Sequence, residues 1–427
     1  MRRTLFALVA FACARPAPAP PPAPIAPAAR VVSAAPVASE DELVIPFYEG
    51  VRAPAGEIPW LEIPYPGVLS VPMIAFGSGA DWNAIFAPLD ALGTVLRIRG
   101  RDVELRCASA CSFRTAHGAS WEELARAVAR AYDVHAESPP LASRYVAAHF
   151  YVRDWISQQG EPRRTAWTKD ALRARLDREE PNVLEHVYGI DPGGIDLGGE
   201  YLREPSARAE AAAMIREHPR LAFFSWLNLR TYKFEIPATH AKLPMTPAVK
   251  AMARLGPGGV RTSEQWGFRA WEMCLGSREW QASRMRELEK LVALGYRVIA
   301  LDEFPIPIGW EATGCTATNH LHRPGDFADE ARVAREFVAR IAAYARAHGV
   351  LLGAEEPSAA LLPMISGYVD RLANPPAMYE IWQKVKGATP VPLFSTMFGD
   401  LATPYTDPSP SAPVPRGWIT TTKIESP

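Results

Sequence analysis

The sequence of 427 residues is poor in the features that usually sort a chain at once. Charge of one sign is missing: 46 Lys and Arg face 47 Asp and Glu, a formal net charge of -1. That balance gives no field to draw in nucleic acid or an anionic membrane surface. Cysteine is scarce, with five in the chain. Cys107 and Cys111 in LRCASACSF lie close enough for a disulfide across a tight turn, with free thiols as the alternative. No second Cys or His pair stands nearby at zinc spacing, which argues against a metal there. Cys274 and Cys315 are single and fall in loops. No GxGxxG follows the first strand of the α/β region, which removes the usual reason for a dinucleotide-binding sheet.

What is present is an ordinary globular composition, 48% hydrophobic and 22% charged, and an abundance of proline, 41 residues. The opening MRRTLFALVAFACA has a basic start at Arg2 and Arg3, a short apolar run from Leu5 to Ala12, then Cys13. It reads as a secretory signal over residues 1–13, and the run is shorter than the roughly 20 residues that span a bilayer. A cysteine after a small residue matches a bacterial lipoprotein processing site, so the expected location is secreted or cell-envelope, with membrane contact only through a lipid on Cys13. Residues 14–40 are Pro- and Ala-rich and read as an extended spacer, since proline fixes φ and lacks an N–H.

Residues 41–115 read as short strands divided by Gly, Pro and Asp, the grammar of a small β-sandwich. At about residue 118 the pattern changes. SWEELARAVARAYDVH is helical, with Ser120 and Glu123 as a capping box and Trp121, Leu124, Val128 and Tyr132 on one face. Strands at 144–152, 182–190, 221–229, 296–303 and 349–357 then alternate with helices. The helix begun by Ser277 stops at Gly295, and the one over residues 327–348, ended by Gly349, carries Phe327, Ala331, Ala334, Phe337, Val338, Ile341 and Ala345 on one stripe. PVPLFSTMF (390–398) reads as a sixth strand. Strands alternating with helices imply a parallel sheet, and six such units predict an α/β fold, a (β/α)8-type TIM barrel over residues 116–400. Only residues 401–427 remain after it, rich in Pro, Ser and Thr. They read as a disordered tail, which leaves the barrel two units short at its C-terminus.

In a parallel barrel the working face lies at the C-terminal ends of the strands. Asp191, Asn228, Arg230, Asp302, Glu303, Glu355, Glu356 and Asp400 all stand at such ends. Carboxylates on neighbouring strands suit glycoside hydrolysis, where one is ionised beneath an oxocarbenium-like carbon and the other protonates the leaving oxygen. Alternation puts Asp302 and Glu303 on opposite faces, so the pair to Asp302 is expected on the next strand. Trp310, in the following loop, offers a flat face for a sugar ring. His320 and His322, spaced H-x-H, suit hydrogen bonds to substrate hydroxyls; a metal role lacks a clear third ligand.

The runs MCLGSREW, LVALGYRVIALDEF, GC…NHLHRPGD, LLGAEEP…GYVDR and VPLFSTMFGD resemble a bacterial family of uncharacterised glycosidase-like TIM barrels. That family is akin to the α-amylase superfamily and to endo-α-N-acetylgalactosaminidases. The resemblance spans about residues 118–400 and is densest over 271–371. It implies a β-sandwich ahead of the barrel, Asp302 as nucleophile, and Glu355 or Glu356 as acid/base, Glu355 matching the glutamate two residues before the family's proline. The departures are the Arg323-Pro324-Gly325 sequence after His322 and the absent last two strands.

The expected function is a retaining glycoside hydrolase acting on an oligo- or polysaccharide, with Asp302, Glu355 and Glu356 as the catalytic set. Asp191, Trp226, Asn228, Trp310, His320 and His322 would line the groove, and no cofactor or metal is required. The alternatives are a non-catalytic carbohydrate-binding lipoprotein with a truncated barrel, and a metal-dependent hydrolase using His320 and His322.

Overall fold

The computed structural model describes residues 41–58, 60–107, 111–137, 215–236, 245–265, 268–302, 313–370 and 385–406. It also describes shorter stretches, among them Val31–Ser33, Ala147–Tyr151, Val183–Val187 and Ile419–Lys423. Among these residues no helix is long and apolar enough to cross a membrane. The N-terminal signal expected over residues 1–13 lies outside them.

The strand-rich first quarter forms two antiparallel sheets. One runs Val31–Ser33, Asp102–Arg106, Thr94–Arg99, Leu61–Tyr65; the other runs Thr389–Pro390, Val51–Pro54, Glu42–Ile45, Met73–Ser78, Asp81–Phe86, Arg114–Gly118. Alternation sets their faces: Trp82, Ala84 and Phe86 are buried while Asp81 is exposed. Leu96, Ile98, Val103 and Leu105 of the first sheet share one apolar core with Leu43, Ile45, Met73 and Ala75 of the second. Cys107 and Cys111 are joined by a disulfide. The spacer expected over 14–40 is corrected at its end, because Val31–Ser33 pairs with Glu104–Arg106. The β-branched Val31 and Val32 favour a strand where the preceding prolines do not. The far edge of the larger sheet is supplied by Thr389–Pro390, from late in the chain.

Eight strands close into a barrel: Ala147–Tyr151, Val183–Val187, Ala222–Asn228, Val298–Asp302, Leu351–Ala354, Gly367–Asp370, Thr403–Thr406 and Ile419–Lys423. Every neighbouring pair is parallel. The first five lie where strand–helix alternation placed them. The last three correct the sequence reading. The sixth strand is Gly367–Asp370, and PVPLFSTMF instead holds a helix, Leu393–Phe398, whose Leu393, Phe394, Met397 and Phe398 are buried at helical rather than alternating spacing. The seventh and eighth strands come from residues 401–427, so that segment is not wholly a tail and the barrel is not short. One contains Pro404 and the other is mostly threonine, so neither shows the apolar–polar alternation that announces a strand.

Three helices form where the sequence signals place them. Trp121–Tyr132 is capped by Ser120, whose hydroxyl accepts from the Glu123 N–H, and Arg278–Leu294 starts at Ser277 and stops at Gly295 in the left-handed region. Phe327–Ala347 is capped by Asp326 and buries the whole predicted stripe. Between the third and fourth barrel strands lies an insertion that alternation did not reveal. It contains a four-stranded antiparallel sheet (Thr231–Ile236, Ala241–Lys242, Thr262–Gln265, Phe268–Glu272) and the short helix Pro247–Met252.

A buried carboxyl ties the N-terminal sheets to the barrel. Glu49 has no solvent exposure; it accepts the Tyr368 hydroxyl at 2.8 Å and the Ser395 N–H at 3.0 Å. Burial pushes this carboxyl up from 4.5 to about 7, against the pull of its hydrogen bonds from Ser395 and Tyr368. A folded-state pKa above the unfolded one means that folding favours the protonated form. The resulting stability is complete below pH 4.5 and is lost as pH rises through about 7. The expected cost from this one group is about 3 kcal/mol between those limits. Urea unfolding at several pH values checks it: Glu49→Gln, which keeps an acceptor but cannot ionise, should flatten the decline. An identical slope in the variant would place the titration elsewhere.

Candidate functional site

The barrel's two faces separate in the packing. Phe223, Leu227, Ile299, Leu301, Leu352 and Ala354 join the large core that includes Phe337, Val338 and Ile341 of the surrounding helix. Phe224, Val298 and Ala300 form a second, smaller cluster with Ala222, Trp226 and Leu351. That smaller cluster is the barrel interior, since its members alternate with residues that meet the helices. Register then builds the interior in layers. Trp226 lies level with Ala300, and Ala300 with Gly353; one layer higher, Asn228 lies level with Asp302. The ladder continues past the fifth strand, with the Glu355 N–H donating to Leu301 O at 2.9 Å. Parity from Leu351 and Gly353 therefore aims Glu355 inward beside Asp302, and aims Glu356 with Leu352 and Ala354 toward the helices. Glu356 is 2% exposed, whereas Asp302 and Glu355 are half-buried.

Asn228 and Asp302 are in direct contact. The Asn228 amide donates to Asp302 Oδ2 at 3.2 Å and to Thr231 Oγ1 at 2.7 Å. Its carbonyl accepts the N–H groups of Arg230 at 3.1 Å and Thr231 at 2.9 Å, an Asx-type turn that fixes which end of the amide faces the carboxylate. The helix that follows the insertion secures this turn from behind. Trp280 Nε1 donates to Leu229 O at 2.7 Å, and Arg284 donates to Asn228 O at 3.3 Å while lying 4.4 Å over the Trp280 ring. Sequence reasoning identified Asn228 but missed Thr231, Trp280 and Arg284. Trp280 and Arg284 stand four apart just inside a helix whose Ser277 cap was legible, so their shared face was available as a signal.

Of the other expected groove residues, Trp226 faces the barrel interior one layer below Asn228 and packs edge-on to Phe224 at 5.3 Å. Asp191, Trp310 and Glu303 lie outside the described residues. His320 and His322 are corrected. Both rings turn to the two cysteines that looked isolated: His322 Nε2 lies 3.1 Å from Cys274 Sγ, and His320 Nδ1 lies 3.6 Å from Cys315 Sγ. His322 is 3% exposed and cannot offer a hydroxyl partner to a saccharide. Burial pushes the Cys274 thiol up, whereas hydrogen bonding with Cys274, His320 and His322 holds the Cys315 thiol well below its usual range.

Arg230 also departs from the strand-end reading. It turns into a buried charge network in which Glu330 meets Arg254 at 2.7 Å and Arg230 at 3.8 Å, and Arg254 meets Glu272 at 3.5 Å. Burial opposes ionisation of Glu330, but Arg254 and Arg230 outweigh it and hold the carboxyl below the usual range.

No protein-family model matches the chain, and no curated protein matches it in sequence. Among solved structures the chain is similar to an α-N-acetylgalactosaminidase from Bifidobacterium bifidum. The match has 16% identity and a TM-score of 0.59, and covers 86% of this chain and 64% of that one. It is similar to an α-galactosidase from Thermus thermophilus, with 16% identity, a TM-score of 0.54 and coverage of 81% and 74% respectively. A cycloalternan-degrading enzyme from Trueperella pyogenes matches with 12% identity, a TM-score of 0.52 and coverage of 93% and 61%. At these identities the likeness is one of fold. The chain spans less than two thirds of the first and third of these proteins.

Proposed function

We propose that this protein is a glycoside hydrolase built on a (β/α)8 barrel behind a β-sandwich, with Asp302 as nucleophile and Glu355 as acid/base in a retaining mechanism. The observation that carries the reading is the interior layer in which Asn228, Asp302 and Glu355 stand side by side at the C-terminal ends of three consecutive parallel strands. Adjacent strands are about 4.8 Å apart. Two carboxyls starting from that spacing suit the roughly 5–5.5 Å of a retaining pair better than the roughly 6.5–9.5 Å that leaves room for an inverting water.

Each group has a physical task. Asp302 is short and its carboxylate is oriented by the Asn228 amide, as a nucleophile aimed at the anomeric carbon requires. Glu355 reaches further and would protonate the departing oxygen, then draw a proton from the water that releases the sugar. Trp226 would close the floor of the pocket. Three solved enzymes of similar fold support the glycosidase reading at a coarse level, and two of them are named for α-linked N-acetylgalactosaminyl and galactosyl substrates. We place the mature protein in the bacterial cell envelope, secreted or held by a lipid on Cys13.

The test is a panel of activated α-glycosides with the mature protein. Release of the aglycone, with the first-formed sugar retaining the anomeric configuration, is the expected result. For Glu355→Gln we expect turnover of substrates with poor leaving groups to fall by about 10²- to 10⁴-fold, with far less effect on a nitrophenyl leaving group that needs no proton. Glu356→Gln should leave that contrast absent. The alternative was a non-catalytic carbohydrate-binding lipoprotein with a truncated barrel; with the seventh and eighth strands paired the truncation falls away, and saccharide binding without product release in the same panel would favour the non-catalytic reading.

A further inference from the structure

Away from the strand-end layer, four metal-ligating side chains converge. Cys274, Cys315, His320 and His322 bring their ligand atoms within 4.8 Å of one another. We propose that these four residues bind one zinc ion in a closed, tetrahedral, structural site. This rests on the cluster alone and is independent of the glycosidase reading.

The donor set selects the metal class. Two sulfurs and two imidazole nitrogens suit Zn(II), whereas Ca(II) and Mg(II) need oxygen ligands. Zinc bonds of about 2.3 Å to sulfur and 2.0–2.1 Å to nitrogen imply tetrahedral sulfur–nitrogen edges near 3.6 Å. Two of the four sulfur–nitrogen edges, Cys274 to His322 and Cys315 to His320, measure 3.1 and 3.6 Å here.

Both rings are oriented as ligands. His320 Nε2 lies 2.9 Å from Ala251 O, and His322 Nδ1 lies 3.1 Å from Arg323 O. A carbonyl oxygen only accepts, so each of those nitrogens carries the proton. That leaves the lone pairs of His320 Nδ1 and His322 Nε2 aimed at the sulfurs, the outer-shell arrangement that fixes histidine tautomers around a metal. Each sulfur receives a backbone donor, Gly276 N–H to Cys274 at 3.3 Å and Leu255 N–H to Cys315 at 3.3 Å. Such donors stabilise thiolates.

The surroundings are shaped for the cluster. A Cβ on Gly276 would lie 2.4 Å from His322 Cδ2 and 3.0 Å from its Nε2, so no larger residue fits there without displacing the ring. Cys274, Cys315 and His322 are buried, which leaves no open position for substrate. Glu330 comes within 3.9 Å of Cys274 Sγ, but its oxygens are committed to Arg254 and to the Cys315 N–H at 2.8 Å, so it stands behind the cluster rather than in it.

The ion would join segments far apart in sequence. Cys274 lies two residues past the last strand of the inserted sheet, Ala251 belongs to the insertion's helix and Leu255 to a two-residue strand after it, and Cys315, His320 and His322 precede the Phe327–Ala347 helix in the connection from the fourth strand. That connection leaves the strand that ends in Asp302. Zinc would therefore fix the far end of the chain running out of the candidate site.

Elemental analysis of the full chain, purified without chelator, should find one zinc per chain. Cys274 and Cys315 should resist alkylation until the metal is stripped. Exchange with Co(II) should give the visible absorption of a tetrahedral site with thiolate ligands. Cys274→Ser should lose the metal, and Gly276→Ala should lose most of it although all four ligands remain. The Gly276 variant reports ligand geometry rather than ligand count, and the Co(II) spectrum needs no variant that might misfold. Metal-free protein with both thiols free, or a Cys274–Cys315 disulfide in an unreduced digest, would overturn the proposal.

Discussion

Asp302→Asn should reduce hydrolysis of an activated glycoside by at least about 10³-fold while leaving the unfolding transition in place. The size follows from removing one member of a covalent catalytic group, where residual activity comes only from binding and the remaining residues. The fold should survive because asparagine retains an oxygen to accept the Asn228 amide, whose other contacts to Arg230 and Thr231 do not involve position 302. A carboxylate cannot be imitated by an amide as a nucleophile, so the loss should appear in kcat and not only in KM. Added azide should restore part of the turnover in Asp302→Gly by entering the space the side chain leaves, with the opposite anomer as product. Full turnover in Asp302→Asn would remove the aspartate from the mechanism, whatever the substrate.

Glu330→Ala should be the most destabilising single change in the described residues, by about 3–5 kcal/mol. Glu330 is 5% exposed and holds Arg254, which has no exposed surface, together with the Cys315 backbone N–H. Truncating the carboxylate leaves the Arg254 and Arg230 guanidinium groups in the interior facing Glu272 alone, and uncompensated buried charge is what makes such deletions costly. Glu330→Gln keeps an acceptor for Cys315 while losing the charge, and should fall between wild type and Glu330→Ala. Urea unfolding of the three proteins checks the order. A Glu330→Ala midpoint equal to wild type would mean that water reaches the network and solvates the arginines.

Much of the scaffold is written locally. Ser120 and Ser277 announce two helices, Gly295 ends one, and the stripe from Phe327 to Ala345 identifies a third and the face it packs against the barrel. Caps and stripes are properties of a few consecutive residues, so they survive in the sequence as readable pattern. The late strands are different. Gly367–Asp370 and Thr403–Thr406 have four residues each, and their partners hold them in place rather than any alternation of their own. Leu393–Phe398 reads equally as strand or helix, and Glu49, 346 residues from Ser395, supplies the acceptor for its first turn.

The site divides in the same way. Asp302 and the pair Glu355–Glu356 could be named as acids at strand ends from the sequence alone, and so could Asn228. Which glutamate faces Asp302 depends on the register between the fourth and fifth strands, and on which face of each strand the helices cover. The pairing of Cys274 with His322, 48 residues apart, depends on an insertion folding back over a loop. By itself the sequence determined helices, their buried faces and the carboxylates at the ends of strands, because these follow from residue type and near spacing. Closure of the barrel, the inward Glu355 and the convergence of two cysteines with two histidines were decided only by tertiary structure, because contacts between distant segments leave no periodic trace in either segment.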